Sequence, residues 1–279
     1  MLTLLSALPS SPRVAGEPGG VSIGDDALFA TVQVASLAHG RFQVPDDTRT
    51  LLIEIGCSNR DTMDEQELPR MKEKAFLFSF EPLLDKYALL LAKGDARYNG
   101  RKNDQFQPLG HHHPRGLVLP IAVAPQNGVL PINVSQLSGC SSIVPFSSAG
   151  HEYKLMGSDA CRNVAETRLV PSITLAKLLR LMPPLLPIHM LKLDAQGVDF
   201  ALIKSTPPVL LERVRSLHLE AINDETRNGR PCPTLYDGQP RISEVKAYLH
   251  SIGFKFAGME RPGWMGPLKC EGTVKFHRQ

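Results

Sequence analysis

The chain has 279 residues, of which 42% are hydrophobic and 21% charged, and its formal net charge is +3. This composition is typical of a folded globular protein, and so small a net charge gives no reason to expect nucleic-acid binding. No apolar run in the sequence approaches the roughly twenty residues that a membrane span needs. We therefore expect neither nucleic-acid binding nor stable membrane insertion, and the composition leaves the oligomeric state open.

The five cysteines are scattered, odd in number and without a Cys-x-x-Cys pair. This pattern favours reduced thiols, and with them a cytoplasmic protein. Residues 1–24 are predicted to be a flexible N-terminal segment and residues 25–279 a single domain that begins with a helix over residues 27–37. The first residues lack the positive charge of a secretory signal and Pro9 interrupts them, whereas an organelle-targeting leader stays open.

From Thr50 onward, short apolar runs alternate with helical stretches, which predicts a doubly wound α/β sheet. We predict strands over residues 50–55, 75–80, 116–123, 189–194 and 215–220, and helices over 64–74, 82–93 and 242–251. Residues 253–257 and 273–277 are expected to form a closing antiparallel strand pair, and residues 131–143 an inserted β-ribbon whose small-residue turn lies over a pocket. Right-handed crossovers would place Gly56, Glu81, Val123 and Asp194 along one rim of the sheet.

Two carboxylates at strand ends indicate a nucleoside pocket. The first predicted strand contains Glu54 and is followed by Gly56, where backbone can approach a ligand closely. The second strand ends in Glu81-Pro82, and a carboxylate there can accept hydrogen bonds from both ribose hydroxyls. Together these features predict nucleoside binding.

The glycine pattern favours S-adenosylmethionine over a dinucleotide. A dinucleotide fingerprint needs three glycines to accommodate the pyrophosphate and the helix, whereas Ser58 and Arg60 occupy the later positions of this loop. The acidic Glu54 also suits a cationic sulfonium better than a phosphate. An NAD-dependent oxidoreductase is therefore the less favoured alternative.

The segments Val170 to Leu179 and Ile188 to Asp199 resemble the FkbM family of S-adenosylmethionine-dependent methyltransferases. That family has a short Thr-Leu helix, a proline-containing loop and a strand reading Leu-Lys-Ile-Asp-Val-Glu-Gly-Ala-Glu, to which Leu191 to Asp199 is similar. The resemblance runs from about Thr50 to Phe256. It implies a Rossmann-like class I methyltransferase sheet, mostly parallel with an antiparallel closing strand, and S-adenosyl-L-methionine as cofactor.

The resemblance also implies methyl transfer to a small molecule, a sugar or a glycan, and oxygen rather than nitrogen as the acceptor atom is an expectation at the level of the family. Residues expected to bind the cofactor are Glu54, Gly56, Cys57, Ser58, Asn59, Glu81, Pro82, Ala122, Val123 and Asp194. Two departures leave open a non-catalytic relative that only binds the cofactor. Arg60 replaces a glycine of the family pattern, and Gln196-Gly197-Val198-Asp199 replaces Glu-Gly-Ala-Glu.

Three residues are candidates for the chemistry. Asp194 ends a buried strand, where a carboxylate is costly unless it meets a cation, a donor or water, although it could instead cap the following turn. Glu220 ends the next strand at the same rim, and His218 shares its face, where a satisfied core histidine is the alternative to a base. Lys192 is expected to pair with a carboxylate and to have no catalytic role. A metal between Asp194 and Glu220 would lack a recognisable third ligand, so no metal site is predicted.

Two further polar segments complete the sequence-based predictions. Three adjacent histidines at 111–113 cannot converge on one ion, which favours a solvated loop. The long polar stretch over residues 223–238 is typical of a lid or a substrate-selecting loop. In and after it, Arg227, Arg230, Tyr236 and Arg241 could contact an acidic or sugar-like substrate, or simply belong to a solvated basic loop.

Overall fold

The computed structural model describes residues 35, 37–58, 63–92, 115–148, 159–224, 226–227, 230–260 and 270–279. The predicted flexible segment over residues 1–24, the histidine run and residues Asn59 and Arg60 lie outside these ranges. Of the predicted helix over residues 27–37, only Ala35 and Leu37 are described, and Leu37 begins a short strand rather than ending a helix.

The strands are β1 Leu37–Ala38, β2 Arg41–Phe42, β3 Thr50–Ile55, β4 Ala75–Phe80, β5 Gly116–Leu119, β6 Ala122–Val123, β7 Gly128–Ser135, β8 Val164–Ile173, β9 Ile188–Leu193, β10 Val214–Ile222, β11 Thr226–Arg227, β12 Arg230–Pro231, β13 Phe254–Glu260 and β14 Glu271–Arg278. The α-helices are α1 Met63–Gln66, α2 Leu84–Ala92, α3 Leu175–Leu181, α4 Asp199–Lys204, α5 Pro208–Leu211 and α6 Ile242–Ser251, and 3-10 turns cover Leu68–Arg70 and Ser138–Cys140.

The main sheet has the strand order β13-β14-β10-β9-β3-β4-β5. The strands from β10 to β5 are parallel, whereas β14 runs antiparallel to both β10 and β13. The predicted mostly parallel sheet with a closing antiparallel pair is confirmed.

Helices cover both faces of this sheet because its central strands are apolar on both sides. Leu51 and Ile53 of β3 pack in one cluster with residues of α3, α4 and α6. Leu52, on the opposite face of the same strand, packs with Met63 of α1 and Leu90 of α2. The sheet is therefore doubly wound, as the alternation of strand and helix signals predicted.

Prolines explain where the predicted elements differ from the structure. The strand predicted over residues 116–123 is broken, because Pro120 has no N–H to continue the ladder, and its second half joins the ribbon as β6. The helix predicted over residues 64–74 is reduced to α1 and a 3-10 turn that begins beside Pro69. Helix α2 starts at Leu84, so Pro82 precedes the helix instead of opening it.

The β-ribbon predicted over residues 131–143 is correct only in part. A second sheet with the order β6-β8-β7 is present, but β7 begins at Gly128 and its partner β8 lies outside the predicted range. Strand β7 pairs antiparallel with β8 over almost its whole length. The small-residue turn predicted after it is the 3-10 turn Ser138–Cys140. The ribbon is inserted in the chain between β5 and β9, which brings this turn over the rim where the main strands end.

The expectation of five reduced cysteines is wrong. Cys140 is bonded to Cys161 and Cys232 to Cys270, with Cα separations of 5.2 and 5.4 Å. Cys57 is free and buried. These pairs could not be predicted from the spacing of the cysteines, because their members lie 21 and 38 residues apart and meet only through folding. Since disulfides persist in oxidising environments, the cytoplasmic prediction loses the observation on which it rested.

In the part of the chain that the structure describes, none of the helices has the length and apolarity required to cross a membrane.

Candidate active site

The order of the main sheet locates a binding crevice between β3 and β9. From β3 the chain proceeds outward to β4 and β5, and it then returns to β9 on the other side of β3. In open α/β sheets, ligands bind beyond the carboxyl ends of the strands at such a reversal of strand order. Gly56 and Asp194, which directly follow β3 and β9, therefore lie at this crevice.

Gly56 is required by both its conformation and its surroundings. Its φ angle is +77°, a left-handed conformation that favours glycine. A Cβ atom on Gly56 would lie 1.9 Å from the carbonyl oxygen of Asp194. The backbone amide of Asp194 in turn donates to the carbonyl oxygen of Ile55 at 2.9 Å. The loops after β3 and β9 are thus in direct backbone contact.

A cavity of about 310 Å³ opens at this rim. The predicted site residues that line it are Gly56, Cys57, Ser58, Glu81, Pro82, Ala122, Val123, Asp194 and Glu220. The ribbon supplies another wall through residues that include Ile132, Leu137 and Ser142. Residues more than a hundred positions apart in the chain therefore line the same cavity, as expected if the strand ends lie along one rim of the sheet.

Glu81 is fixed by backbone donors at the edge of the cavity. Its Oε2 accepts from the amide of Ser58 at 2.8 Å, and its Oε1 accepts from the amide of Leu83 at 3.0 Å. Burial raises the pKa of Glu81, and Lys86 and these amides act in the opposite direction. Each carboxylate oxygen has a second acceptor site, so Glu81 can still accept hydrogen bonds from a ligand.

Lys86 is a cavity residue that the sequence reasoning missed. Its side chain is buried, lines the cavity and donates from Nζ to the carbonyl oxygen of Ser138 at 2.7 Å. This bond ties α2 to the turn of the ribbon. The only signal in the sequence was a lysine within the helix predicted over residues 82–93, and such a lysine usually lies on a solvated surface.

Glu54 is not among the cavity-lining residues, which corrects its prediction as a cofactor ligand. It is completely buried, and its Oε1 accepts from Lys192 Nζ at 2.9 Å. Its Oε2 accepts from the amide of Met63 at 3.0 Å and from Ser79 Oγ at 3.3 Å. Glu54 therefore links β3 to three neighbouring elements, β9, α1 and β4.

Lys192 pairs with a carboxylate, as predicted, because Glu54 and Lys192 lie side by side in the register of β3 and β9. Burial lowers the pKa of Lys192, but the charges of Glu54 and Asp194 more than offset that effect and hold the pKa above its ordinary value. Lys192 is therefore a permanent cation at the edge of the cavity.

An acidic wall formed by Asp194, Glu220 and Glu271 lines one side of the cavity. Burial and the charges of Asp194 and Glu271 raise the pKa of Glu220 well above its ordinary value. Glu271 was missed because it reaches the rim only through the antiparallel pairing of β14 with β10, where it lies opposite Ile222.

Asp199 takes the capping role that was the alternative for Asp194. Its Oδ1 accepts from the amide of Ala195 at 2.8 Å, and Asp199 is itself buried. Burial and the charge of Asp194 raise the pKa of Asp199 to about 7, against the effect of the backbone donors. The Asp194 carboxylate meets the side-chain amide of Gln196 and faces the cavity.

His218 is not brought into the cavity. Its ring shares a 3.2 Å hydrogen bond with Ser216 Oγ, and in the sheet register it lies beside Lys192. Burial and the nearby Lys275 lower its pKa to about 4. The structure corrects its prediction as a base, because a sheet face shared with Glu220 did not place it at the rim.

Tyr236 and Arg241 hold the loop after β10 in place. The Tyr236 hydroxyl lies 2.6 Å from Gln196 Oε1 and 2.9 Å from the carbonyl oxygen of Cys140. The Arg241 guanidinium donates to the carbonyl oxygens of Asn223 and Cys232. Neither Tyr236 nor Arg241 lines the cavity, and both side chains bond within the protein. The side chains of Arg227 and Arg230 lie outside the described residues.

Within the described ranges, no group of three or more His, Cys, Asp and Glu side chains is arranged to hold a metal ion.

No protein-family profile matches the chain, and no curated protein does either. The chain is similar to the solved structure of the methyltransferase FkbM from Methylobacillus flagellatus KT, at 11% identity over 83% of this chain and 44% of that one, with a TM-score of 0.43. It thus spans less than half the length of that protein, which bears the name of the family that the sequence resembles.

A second similar structure is the 1,6-didemethyltoxoflavin-N1-methyltransferase of Burkholderia thailandensis, solved with bound 1,6-didemethyltoxoflavin and S-adenosylhomocysteine. The identity is 11%, the coverage is 83% of this chain and 72% of that one, and the TM-score is 0.32.

Proposed function

We propose that the protein is an S-adenosylmethionine-dependent methyltransferase that methylates an oxygen of a small molecule, a sugar or a glycan. One observation carries this proposal. The Gly56 loop and the Glu81 carboxylate face the same cavity as Asp194 and Glu220, at the point where the strand order reverses. Candidate cofactor ligands and candidate bases thus line one volume.

The residues present fit this cofactor. Glu81 is placed to accept hydrogen bonds from the ribose hydroxyls, and Pro82, Ala122 and Val123 offer an apolar surface to the adenine. The absence of a side chain at Gly56 lets its loop lie against the backbone of Asp194 at the edge of the cavity. The cavity volume lies at the lower end of the roughly 300–1,000 Å³ range of small-molecule sites.

The acidic wall argues against a dinucleotide. Asp194, Glu220 and Glu271 face the cavity, where a pyrophosphate would meet like charges. A sulfonium cation is instead attracted by that wall. Lys86 and Lys192 also line the cavity, so it is the charge of this wall, and not that of the whole cavity, that supports methyl transfer over an NAD-dependent oxidoreductase.

The chain's own residues would position the acceptor and remove its proton. When bound, S-adenosylmethionine supplies an activated methyl group on sulfur, so orientation and exclusion of water can provide much of the rate. An acceptor hydroxyl must lose a proton as it is methylated, and Asp194 and Glu220 are the candidate bases among the carboxylates that line the cavity. The raised pKa of Glu220 brings that residue closer to the pH at which a general base is effective.

Titration calorimetry with S-adenosylhomocysteine and with NADH tests the cofactor, and mass detection of methylated products from a glycan and metabolite panel tests the reaction. We expect S-adenosylhomocysteine alone to bind and Asp194→Asn to lower turnover about a hundredfold or more. Glu73→Gln is the matched control, because it removes an exposed carboxylate that does not line the cavity. Binding of NADH alone would favour the oxidoreductase.

A non-catalytic cofactor-binding relative is the second candidate, because Gln196 stands where the FkbM pattern has a glutamate. It predicts that S-adenosylhomocysteine binds to the wild type and that no member of the panel is methylated. A methylated product that disappears with Asp194→Asn would exclude it.

We further propose that the protein works in an oxidising compartment. The chain forms two disulfides between buried cysteines, Cys140–Cys161, which lines the cavity, and Cys232–Cys270. When the unreduced protein is unfolded in denaturant and alkylated, one cysteine, Cys57, should be labelled. Labelling of all five would restore the cytoplasmic prediction.

A further inference from the structure

Gln196 occupies a strained turn directly after Asp194. Its φ angle is +52°, which is uncommon for a residue with a side chain. Its backbone carbonyl oxygen accepts from Ser142 Oγ of the ribbon at 2.6 Å. The strain and this anchoring bond together aim the side chain along the acidic wall, and strain of this kind is often found at functional sites.

The side chain of Gln196 links both candidate bases. Its Nε2 donates to Asp194 Oδ1 and, at 3.5 Å, to Glu220 Oε2. Its Oε1 lies 2.6 Å from the hydroxyl of the fully buried Tyr236. The Tyr236 hydroxyl has one proton and two acceptors within reach, Gln196 Oε1 and the carbonyl oxygen of Cys140 at 2.9 Å. Donation to the nearer acceptor, Oε1, determines which end of the amide faces the carboxylates, because the reversed amide would present an oxygen to them.

We propose that Gln196 is the positioning residue of the acidic wall, with its amide holding the carboxylates of Asp194 and Glu220 toward the cavity and Tyr236 fixing the orientation of that amide. This inference rests on the proposed function, since Gln196 acts through the two carboxylates proposed to receive the acceptor's proton. Gln196 is then a functional replacement in the FkbM-like motif and not a sign of lost activity.

The charges around Glu220 explain why an amide suits this position. The ionisable groups that act on Glu220 are Asp194, Asp199 and Glu271, which are acidic, and Lys192, which is basic. A glutamate at position 196 would add another negative charge and remove both N–H donors. An amide instead supplies donors to two carboxylates without adding charge.

The direct test is a carboxyl ¹³C NMR titration of the full-length protein labelled on glutamate, with Glu220→Gln to assign the Glu220 signal. In Gln196→Glu, we expect Glu220 to hold its proton to a pH about one unit higher than in the wild type. Gln43→Glu, at an exposed position on another surface, is the charge-matched control and should leave the signal unchanged.

Tyr236→Phe provides a second variant that preserves packing. A Cβ on Gly197 would lie 2.6 Å from Tyr236 Cβ, so the ring is tightly enclosed and phenylalanine can keep its place. Loss of the hydroxyl frees the amide to rotate, and we expect an upward shift of Glu220 smaller than that of Gln196→Glu. This variant decides the question if Gln196→Glu does not fold.

A Glu220 midpoint within about 0.3 pH units of the wild-type value in every folded variant would overturn the positioning role. S-adenosylhomocysteine binding by calorimetry separates this result from the proposed function. A wild type that binds no S-adenosylhomocysteine but shows the expected shifts would refute the cofactor and retain the link from Gln196 to Glu220. Normal S-adenosylhomocysteine binding without any shift of the Glu220 midpoint would retain the cofactor and refute the link from Gln196 to Glu220.

Discussion

The carbonyl oxygen of Asp194 occupies the space that a side chain on Gly56 would need. A Cβ built on Gly56 would lie only 1.9 Å from that oxygen. The loop after β3, which should contact the cofactor, and the loop after β9, which carries a candidate base, therefore share one fixed geometry. A substitution that displaces either loop should therefore displace the other.

Gly56→Ala should disrupt both loops. Alanine at a φ angle of +77° pays about 1–2 kcal/mol for its conformation, and the contact with Asp194 adds a backbone displacement. We expect lower thermal stability and at least tenfold weaker binding of S-adenosylhomocysteine, as measured by calorimetry. Gly40→Ala is the matched control, since Gly40 has a φ angle of +69° and no atom within 4 Å of the added Cβ. Equal effects of the two substitutions would show that the contact with Asp194 is unimportant.

Local sequence signals predicted the main sheet and much of its rim. Apolar runs bounded by polar or glycine residues place β3, β4 and β9 within a residue of their observed ends. Given right-handed crossovers, the residues after these strands must lie along one edge. That is why Gly56, Glu81 and Asp194 were predicted together from residues far apart in the chain.

Features that depend on three-dimensional distance were not predicted from the sequence. In the sequence, Glu54 and Glu81 are both carboxylates near the end of a strand. The pairing of β3 with β9 sets Glu54 beside Lys192, and only this pairing shows that Glu54 forms a buried ion pair. The disulfide partners Cys232 and Cys270 meet because β14 returns beside β10. No local pattern in the sequence encodes either encounter.

Glu81→Ala should weaken cofactor binding. If Glu81 accepts hydrogen bonds from both ribose hydroxyls, its loss removes two charge-assisted bonds, each worth about 1.5–3 kcal/mol. We expect at least a tenfold rise in the Kd for S-adenosylhomocysteine by calorimetry. Glu73→Ala removes an exposed carboxylate and serves as the control. Unchanged affinity in a folded Glu81→Ala protein would remove this residue from the site.

The Glu54–Lys192 pair should be strongly coupled. The Glu54 side chain is fully buried and that of Lys192 is about three-quarters buried, so removal of one partner leaves an uncompensated charge. We expect Glu54→Gln and Lys192→Met each to lower the free energy of unfolding by about 3 kcal/mol. The double variant should lose much less than the sum of the two, as measured by urea unfolding. Additive losses would mean that the two charges do not depend on each other.

The Cys232–Cys270 disulfide should stabilise the fold mainly through the unfolded chain. Its cysteines are 38 residues apart, and closing a loop of that length is worth about 3–4 kcal/mol in the chain-entropy description. Cys232→Ser with Cys270→Ser should lower the free energy of unfolding by about that amount. Reductant should lower the free energy of unfolding of the wild type by more than that of the double variant. The wild type has two disulfides to lose, whereas the variant has only Cys140–Cys161. A variant as stable as the oxidised wild type would contradict this account.

Asp199 should make the protein less stable as the pH rises. Its pKa is raised from 3.8 to about 7 in the folded state, so between these values the folded protein binds more protons than the unfolded chain. Stability is then lost as the pH rises from about 4 to about 7, by an amount on the order of 2–4 kcal/mol at roughly 1.4 kcal/mol per pKa unit. Asp199→Asn keeps an oxygen to accept from the Ala195 amide but has no charge to bury. We therefore expect the variant to gain stability relative to the wild type at pH 8, and to differ little from it at pH 4, in urea unfolding at both values. A difference between the two proteins that is the same at both pH values would show that Asp199 does not titrate in this window.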